Sequence, residues 1–67
     1  MPKQIILNGQ PISDDSDTVL QLLEKHQLTQ GRFAVEIDGV LLPKSRLEQT
    51  ALLPNMRIEV VQAVGGG

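Results

Sequence analysis

A chain of 67 residues without a single cysteine must hold itself together by packing and backbone pairing alone. At this size a domain buries only about 60% of the surface its unfolded chain exposes, so one modest core is the most it can build. No disulfide can supplement that core, and no thiolate metal site can either. His26 is the only histidine, and one imidazole does not make a zinc site. A single small core also leaves little room for the enclosed cleft of an enzyme. One domain built from regular secondary structure is expected, spanning residues 1–64 and followed by a flexible C-terminal glycine tail over 65–67.

Turn and strand signals dominate the reading. Gln4-Ile5-Ile6-Leu7 is short, apolar and β-branched, as in a strand. Asn8-Gly9 follows, and both residues tolerate the positive φ of a tight hairpin. Pro11-Ile12-Ser13 reads as the return strand. Because proline lacks an N–H, that strand belongs at a sheet edge. Asp14-Asp15-Ser16-Asp17 is a polar connection. Thr18, with Gln21 three residues on, has the form of a helix capping box, and the preceding aspartates favour the positive end of the helix dipole. Val19, Leu22, Leu23 and His26 recur on one helical face, so a helix is predicted from Val19 to about Gln27, with Gly31 closing the helical region. Phe33, Val35 and Ile37 then alternate with Ala34, Glu36 and Asp38, as in a half-buried strand. Asp38-Gly39 is a second hairpin turn leading into Val40-Leu41-Leu42. Pro43 to Arg46 forms a turn, opening a short helical segment through Gln49. Leu53-Pro54-Asn55 is a further turn. Met56 to Val64 is the last strand, with Met56, Ile58 and Val60 on one face and Arg57, Glu59, Val61 and Ala63 on the other.

This order folds most simply into an α+β domain of two layers, a mixed sheet of four to five strands with one main helix on one face. A right-handed crossover places the last strand beside the first, in the middle of the sheet. That is the β-grasp, or ubiquitin-like, arrangement; a generic small α+β domain is the plainer alternative.

Charge argues against several partners. Six Lys and Arg face eight Asp and Glu, with no basic run, and Phe33 is the single aromatic. Nucleic-acid binding calls for a basic face, and single-strand binding also for stacking rings. No apolar run approaches the ~20 residues of a membrane span, and Met1-Pro2-Lys3-Gln4 does not open a signal-peptide pattern, so a cytoplasmic protein is expected. His26, late in the helix, has no evident nucleophile to activate, so a place at the helix C-terminus is expected. Asp14–Asp17 lacks the spacing of a calcium loop, and helix-start polarity explains it. Arg46 and Arg57 read as solvated, and Phe33 as core.

The chemistry lies in Gly65-Gly66-Gly67. Taken alone, a glycine triplet reads as a frayed chain end or a cloning remnant. Emerging from the last strand of a β-grasp, it gains meaning. Extended, it would project about 10 Å. Without Cβ atoms it can enter a narrow channel and take whatever φ and ψ the channel imposes. It would present the Gly67 carboxylate without steric hindrance. A carboxylate is a poor acyl donor until it is activated, usually as an acyl-adenylate. The chain carries no phosphate-binding glycine motif, so it would be the substrate of an adenylating partner and bind no cofactor itself. Lacking cysteine, it could carry sulfur only on its C-terminus, as a thiocarboxylate.

At this point the chain resembles a known family. Ile5-Ile6-Leu7-Asn8-Gly9, Thr18-Val19 with Leu22-Leu23, Ala34-Val35-Glu36, Leu42-Pro43-Lys44-Ser45-Arg46, Arg57 to Val61 and Val64 to Gly67 together resemble the ThiS family of thiamin-pathway sulfur carriers. One departure is Pro54-Asn55-Met56, where the family usually has an Asp-Gly-Asp-like turn. The resemblance implies a ThiF-type adenylyltransferase that uses ATP and magnesium on Gly67, a persulfide relay as sulfur donor, and a ThiG-type thiazole synthase that takes the sulfur. Val64, Gly65 and Gly66 would enter the partner's active site. Ile6, Val61 and Ala63, facing outward, are the candidate docking patch, against the plainer view that they are scattered surface apolars. A carrier for molybdopterin synthesis or tRNA thiolation, and a ubiquitin-like modifier joined to lysines, are the alternative functions; a purely structural interaction domain is the blandest.

Overall fold

The computed structural model describes residues 1–63. Five strands form one mixed sheet: β1 (Lys3–Leu7), β2 (Gln10–Asp14), β3 (Phe33–Ile37), β4 (Val40–Leu42) and β5 (Arg57–Gln62). Their order across the sheet is β2-β1-β5-β3-β4. β5 lies in the centre, parallel to β1 and antiparallel to β3. This is the β-grasp arrangement expected from the order of elements.

Both hairpins form as their turn residues dictate. Asn8 and Gly9 have φ of 50° and 80°, and Asp38 and Gly39 have 50° and 84°. Positive φ at both central positions gives the turn whose twist matches that of the flanking strands. Pro11 sits on β2, an edge strand, where its missing N–H costs the ladder least.

Helix α1 (Val19–Lys25) starts as anticipated. Gln21 donates its backbone N–H to the Thr18 hydroxyl, and its side-chain oxygen accepts from the backbone of Asp17 and Thr18. The helix ends earlier than expected. Gln27, next to the helix end, takes the left-handed conformation with φ of 59°, while Gly31, with φ of 68°, lies four residues further on in the connection to β3. The Gln27 N–H then donates to the Glu24 carbonyl and the Leu28 N–H to the Leu23 carbonyl. This pair of bonds satisfies the last carbonyls of the helix, and half-buried Leu28 packs on the core beside it.

Val19, Leu22 and Leu23 on α1 pack against Ile5, Leu7, Val35 and Ile58 from the three central strands. Leu47 and Leu52 complete this core from the long connection between β4 and β5. That connection begins with a 3-10 turn over Lys44–Arg46 and passes beneath the helix start. There Val19 donates to Thr50, Leu20 to Leu47, and Leu52 to Asp17. Phe33, expected in the core, packs against it from the rim: it is half-buried, with the Lys44 ammonium 4.2 Å from its ring centroid. The last strand begins at Arg57, one residue later than expected, and is assigned to Gln62. The Ala63 N–H still donates to the Arg32 carbonyl at 3.0 Å. Val64 and the glycine tail lie outside the described residues.

One acidic side chain at the end of β2 is structural. Asp14 is buried and accepts from the Ser16 backbone N–H at 2.8 Å. It also meets the Lys25 ammonium at 3.4 Å and His26 Nε2 at 3.5 Å. His26 is therefore the residue at the helix C-terminus that the sequence led us to expect. Burial pushes the Asp14 carboxyl up, but the hydrogen bonds from Ser16 and the contact with Lys25 outweigh it, and the group titrates below the ordinary carboxylate range.

A depressed folded-state value means that ionised Asp14 stabilises the fold. That contribution is complete above the ordinary Asp value of about 4 and is lost as pH falls through the lower folded value. Asp14→Asn should therefore unfold at lower temperature than wild type at pH 7. The difference between the two should shrink on acidification below about pH 4. Thermal unfolding followed by circular dichroism checks this; two curves separated by a constant gap down to pH 2 would contradict it.

Candidate functional site

The helix covers one face of the sheet and leaves the other bare. On the bare face the register sets the side chains in rows. Ile6 stands at the level of Arg57, Glu36 opposite Glu59, and Ala34 opposite Val61. Leu41 on β4 lies beyond Glu36. Ala63 follows Val61 at the end of the described chain.

These rows separate the residues grouped as one docking patch. Ile6, Val61 and Ala63 do share the outer face, as their alternation implies. Ile6, however, lies four positions along the sheet from the level of Val61, about 13 Å at 3.3 Å per residue. Ile6 is half-buried beside Pro11 on the neighbouring strand, while Val61 is 64% exposed. Ile6 and Val61 accordingly line separate shallow depressions. One is lined by Ile6, Asp38, Gly39, Asn55, Arg57 and Glu59. The other is lined by Arg32, Phe33, Ala34, Val61 and Ala63, at the root of the segment leading to Gly67. Val61 and Ala63 therefore belong with Ala34, and Ile6 belongs to a second apolar spot across a charged band. Ala34, Glu36 and Leu41 were missed as members of this face. Their outward alternation is visible in the sequence, but the strand register that sets them beside β5 is not.

The position of β5 depends on its contacts with β1. Ile6 N–H donates to the Met56 carbonyl at 3.0 Å, and Asn8 N–H to the Ile58 carbonyl at 2.9 Å. β1 then turns away into its hairpin. Beyond that point the Asn8 side chain takes over, its Oδ1 accepting from the Val60 N–H at 2.7 Å. Asn8 thus serves two ends, adopting the left-handed turn and holding the strand that leads toward the tail. At the start of β5, the Arg57 N–H donates to the Asp38 carboxylate at 3.1 Å. The turn before it is closed by Asn55, at φ of 68°, whose N–H donates to the Gln4 carbonyl. Pro54-Asn55 therefore makes a turn, as expected, where the sequence departs from the family's usual one. Arg46 and Arg57 are exposed, as expected.

Among the described residues no group of His, Asp and Glu side chains is placed to hold a metal ion. No described helix is long and apolar enough to cross a membrane. Gly65, Gly66 and Gly67, with Val64, lie outside the described residues.

The double role of Asn8 is testable. Asn8→Ala removes both the Val60 hydrogen bond and a residue that tolerates positive φ, and should cost about 1–3 kcal/mol. Amide hydrogen exchange should show the Val60 N–H losing more protection than the Ile37 N–H on β3. Equal loss at the two sites would mean that Asn8 acts through global stability alone.

The ThiS family model matches residues 5–67, a span that includes Gly67. An uncharacterized protein, ycf40, from Pyropia yezoensis is 34% identical over 64 residues, covering 94% of this chain and 90% of its own length. Its counterpart in Porphyra purpurea is 31% identical over the same extent. The crystal structure of a thiamine biosynthesis protein, ThiS, from Geobacter metallireducens superimposes with a TM-score of 0.78 at 25% identity, covering 96% of this chain and 99% of that one. The solution structure of a thiamine biosynthesis protein from the same organism gives a TM-score of 0.75 at 25% identity, with 96% and 87% covered. With a matching family model over nearly its whole length and the same sheet and helix, this chain belongs to the ThiS family.

Proposed function

We propose that this protein is a sulfur carrier whose reactive group is the Gly67 carboxylate. The observation that carries this reading is the family match running through Gly67, downstream of a β5 held in the centre of the sheet. The absence of cysteine supports it, since the chain has no thiol of its own on which sulfur could travel.

The chemistry follows from what a carboxylate lacks. An oxygen of Gly67 attacks the α-phosphorus of ATP in a ThiF-type adenylyltransferase, with magnesium on the phosphates, and pyrophosphate leaves. The acyl-adenylate now has AMP as its leaving group. A persulfide sulfur displaces AMP, and a further thiol cleaves the S–S bond to release the thiocarboxylate. A ThiG-type thiazole synthase then takes that sulfur for the thiazole ring of thiamin. Throughout, the chain is a protein co-substrate, not the enzyme. Gly65 and Gly66 contribute a backbone without Cβ atoms, suited to a narrow channel. The sheet contributes a rigid body from which the tail is presented, and an outer face for the partner to grip.

Adenylation alone is the simplest step to test. With a ThiF-type enzyme, wild type should support exchange of labelled pyrophosphate into ATP. Deleting Gly67 should abolish the exchange while leaving the thermal unfolding temperature unchanged. Undiminished exchange by the folded deletion variant would rule out Gly67 as the acceptor.

A further inference from the structure

The bare sheet face carries its charge unevenly. Glu36 and Glu59 stand directly opposite each other on β3 and β5, both turned to solvent. Like charges in directly opposed positions destabilise a sheet. Among the described residues neither glutamate forms an ion pair; the ion pairs present join Asp14 and Asp15 to Lys25. Arg57 precedes Glu59 on the same face without pairing to it, and Asp38 lies beside Arg57.

These four residues hold three carboxylates and one guanidinium, a formal charge of 1 − 3 = −2. The whole chain has six basic and eight acidic residues and the same net charge of −2. The other five basic and five acidic residues therefore cancel, and the central band of the sheet face accounts for the entire excess. The band is flanked by exposed branched apolar side chains. Leu41 lies beside Glu36 across the β3–β4 pair, and Val61 is the next outward position after Glu59; each is 64% exposed.

Repelled carboxylates with an apolar flank suit one kind of partner, a protein surface that offers a cation between apolar groups. Nucleic acids and anionic membranes carry the wrong sign, and a second copy of this face would repel itself. Resting on the sulfur-carrier reading, we propose that the adenylating enzyme docks on this face by inserting a Lys or Arg side chain between Glu36 and Glu59. Apolar groups of the enzyme cover Leu41 and Val61. The inserted cation relieves a repulsion that the free chain bears, so an arrangement unfavourable to the fold becomes favourable to the complex. Glu36 and Glu59 are then specificity determinants, remote from the reacting carboxylate.

The test uses Glu36→Gln and Glu59→Gln, singly and together, which remove charge and keep shape. The free double variant should unfold at the same temperature as wild type or higher, because the repulsion is gone. In adenylation by a ThiF-type enzyme with ATP and magnesium, its KM should rise by about tenfold or more with kcat little changed. The rise of KM with added salt should also flatten, since a charge contact has been lost. Glu48→Gln, an exposed charge on the β4–β5 connection, should leave KM near that of wild type. Adenylation of the double variant with wild-type KM and salt dependence would overturn the docking proposal and leave the sulfur-carrier reading standing. Failure of wild type itself to be adenylated would overturn both.

Discussion

The parallel pairing of β1 with β5 is the contact on which the rest of this structure depends. It is short, resting on the Ile6–Met56 and Asn8–Ile58 backbone bonds and on the Asn8 side chain at Val60. Parallel pairing cannot be closed by a tight turn and needs a long connection. Here nearly the whole chain serves as that connection. The helix, β3, β4 and the segment carrying Leu47 and Leu52 all lie between the two strands, and all pack on the same core. β5 is thereby flanked on both sides, with its inward residues Ile58 and Val60 against the helix layer and its outward residues left free. A strand held in this way is a rigid origin for whatever follows it.

That constraint also divides the molecule by role. Stability comes from the covered face, where Val19, Leu22, Leu23, Val35 and Ile58 are fully buried. The open face contributes little packing and carries the opposed glutamates, a local conflict that the covered face must offset. In a domain of this size, where total stability is on the order of 3–10 kcal/mol, even a small conflict bears on the margin. Retained local conflicts are expected where a surface serves recognition.

Much of this fold is legible in the sequence because short-range chemistry dictates it. Asn8-Gly9 and Asp38-Gly39 specify two hairpins, Thr18 with Gln21 specifies a helix start, and Pro11 marks an edge. Alternation separates Ile58 and Val60 from Glu59 and Val61. What escaped the reading depends on distant contacts. Gln27 has no glycine-like signature, and it takes the left-handed position because Leu28 packs on the core immediately after it. Leu47 and Leu52 sit in a stretch without periodicity and are buried only because the connection passes under the helix start. The opposition of Glu36 to Glu59, and the separation of Ile6 from Val61, are matters of register between strands far apart in sequence. The candidate site was legible only as residue types: the outward direction of Ile6, Val61 and Ala63 was readable, but their division by a charged band was not.

The central claim concerns one atom at Gly67, and intact mass spectrometry tests it most directly. The protein would be incubated with a ThiF-type enzyme, ATP, magnesium and a persulfide sulfur donor, then weighed whole and fragmented. The account predicts a gain equal to the difference between one sulfur and one oxygen, localised by fragmentation to Gly67 and dependent on ATP. An unchanged mass, under conditions that convert a known ThiS-family carrier, would contradict it, as would a sulfur found anywhere else on the chain.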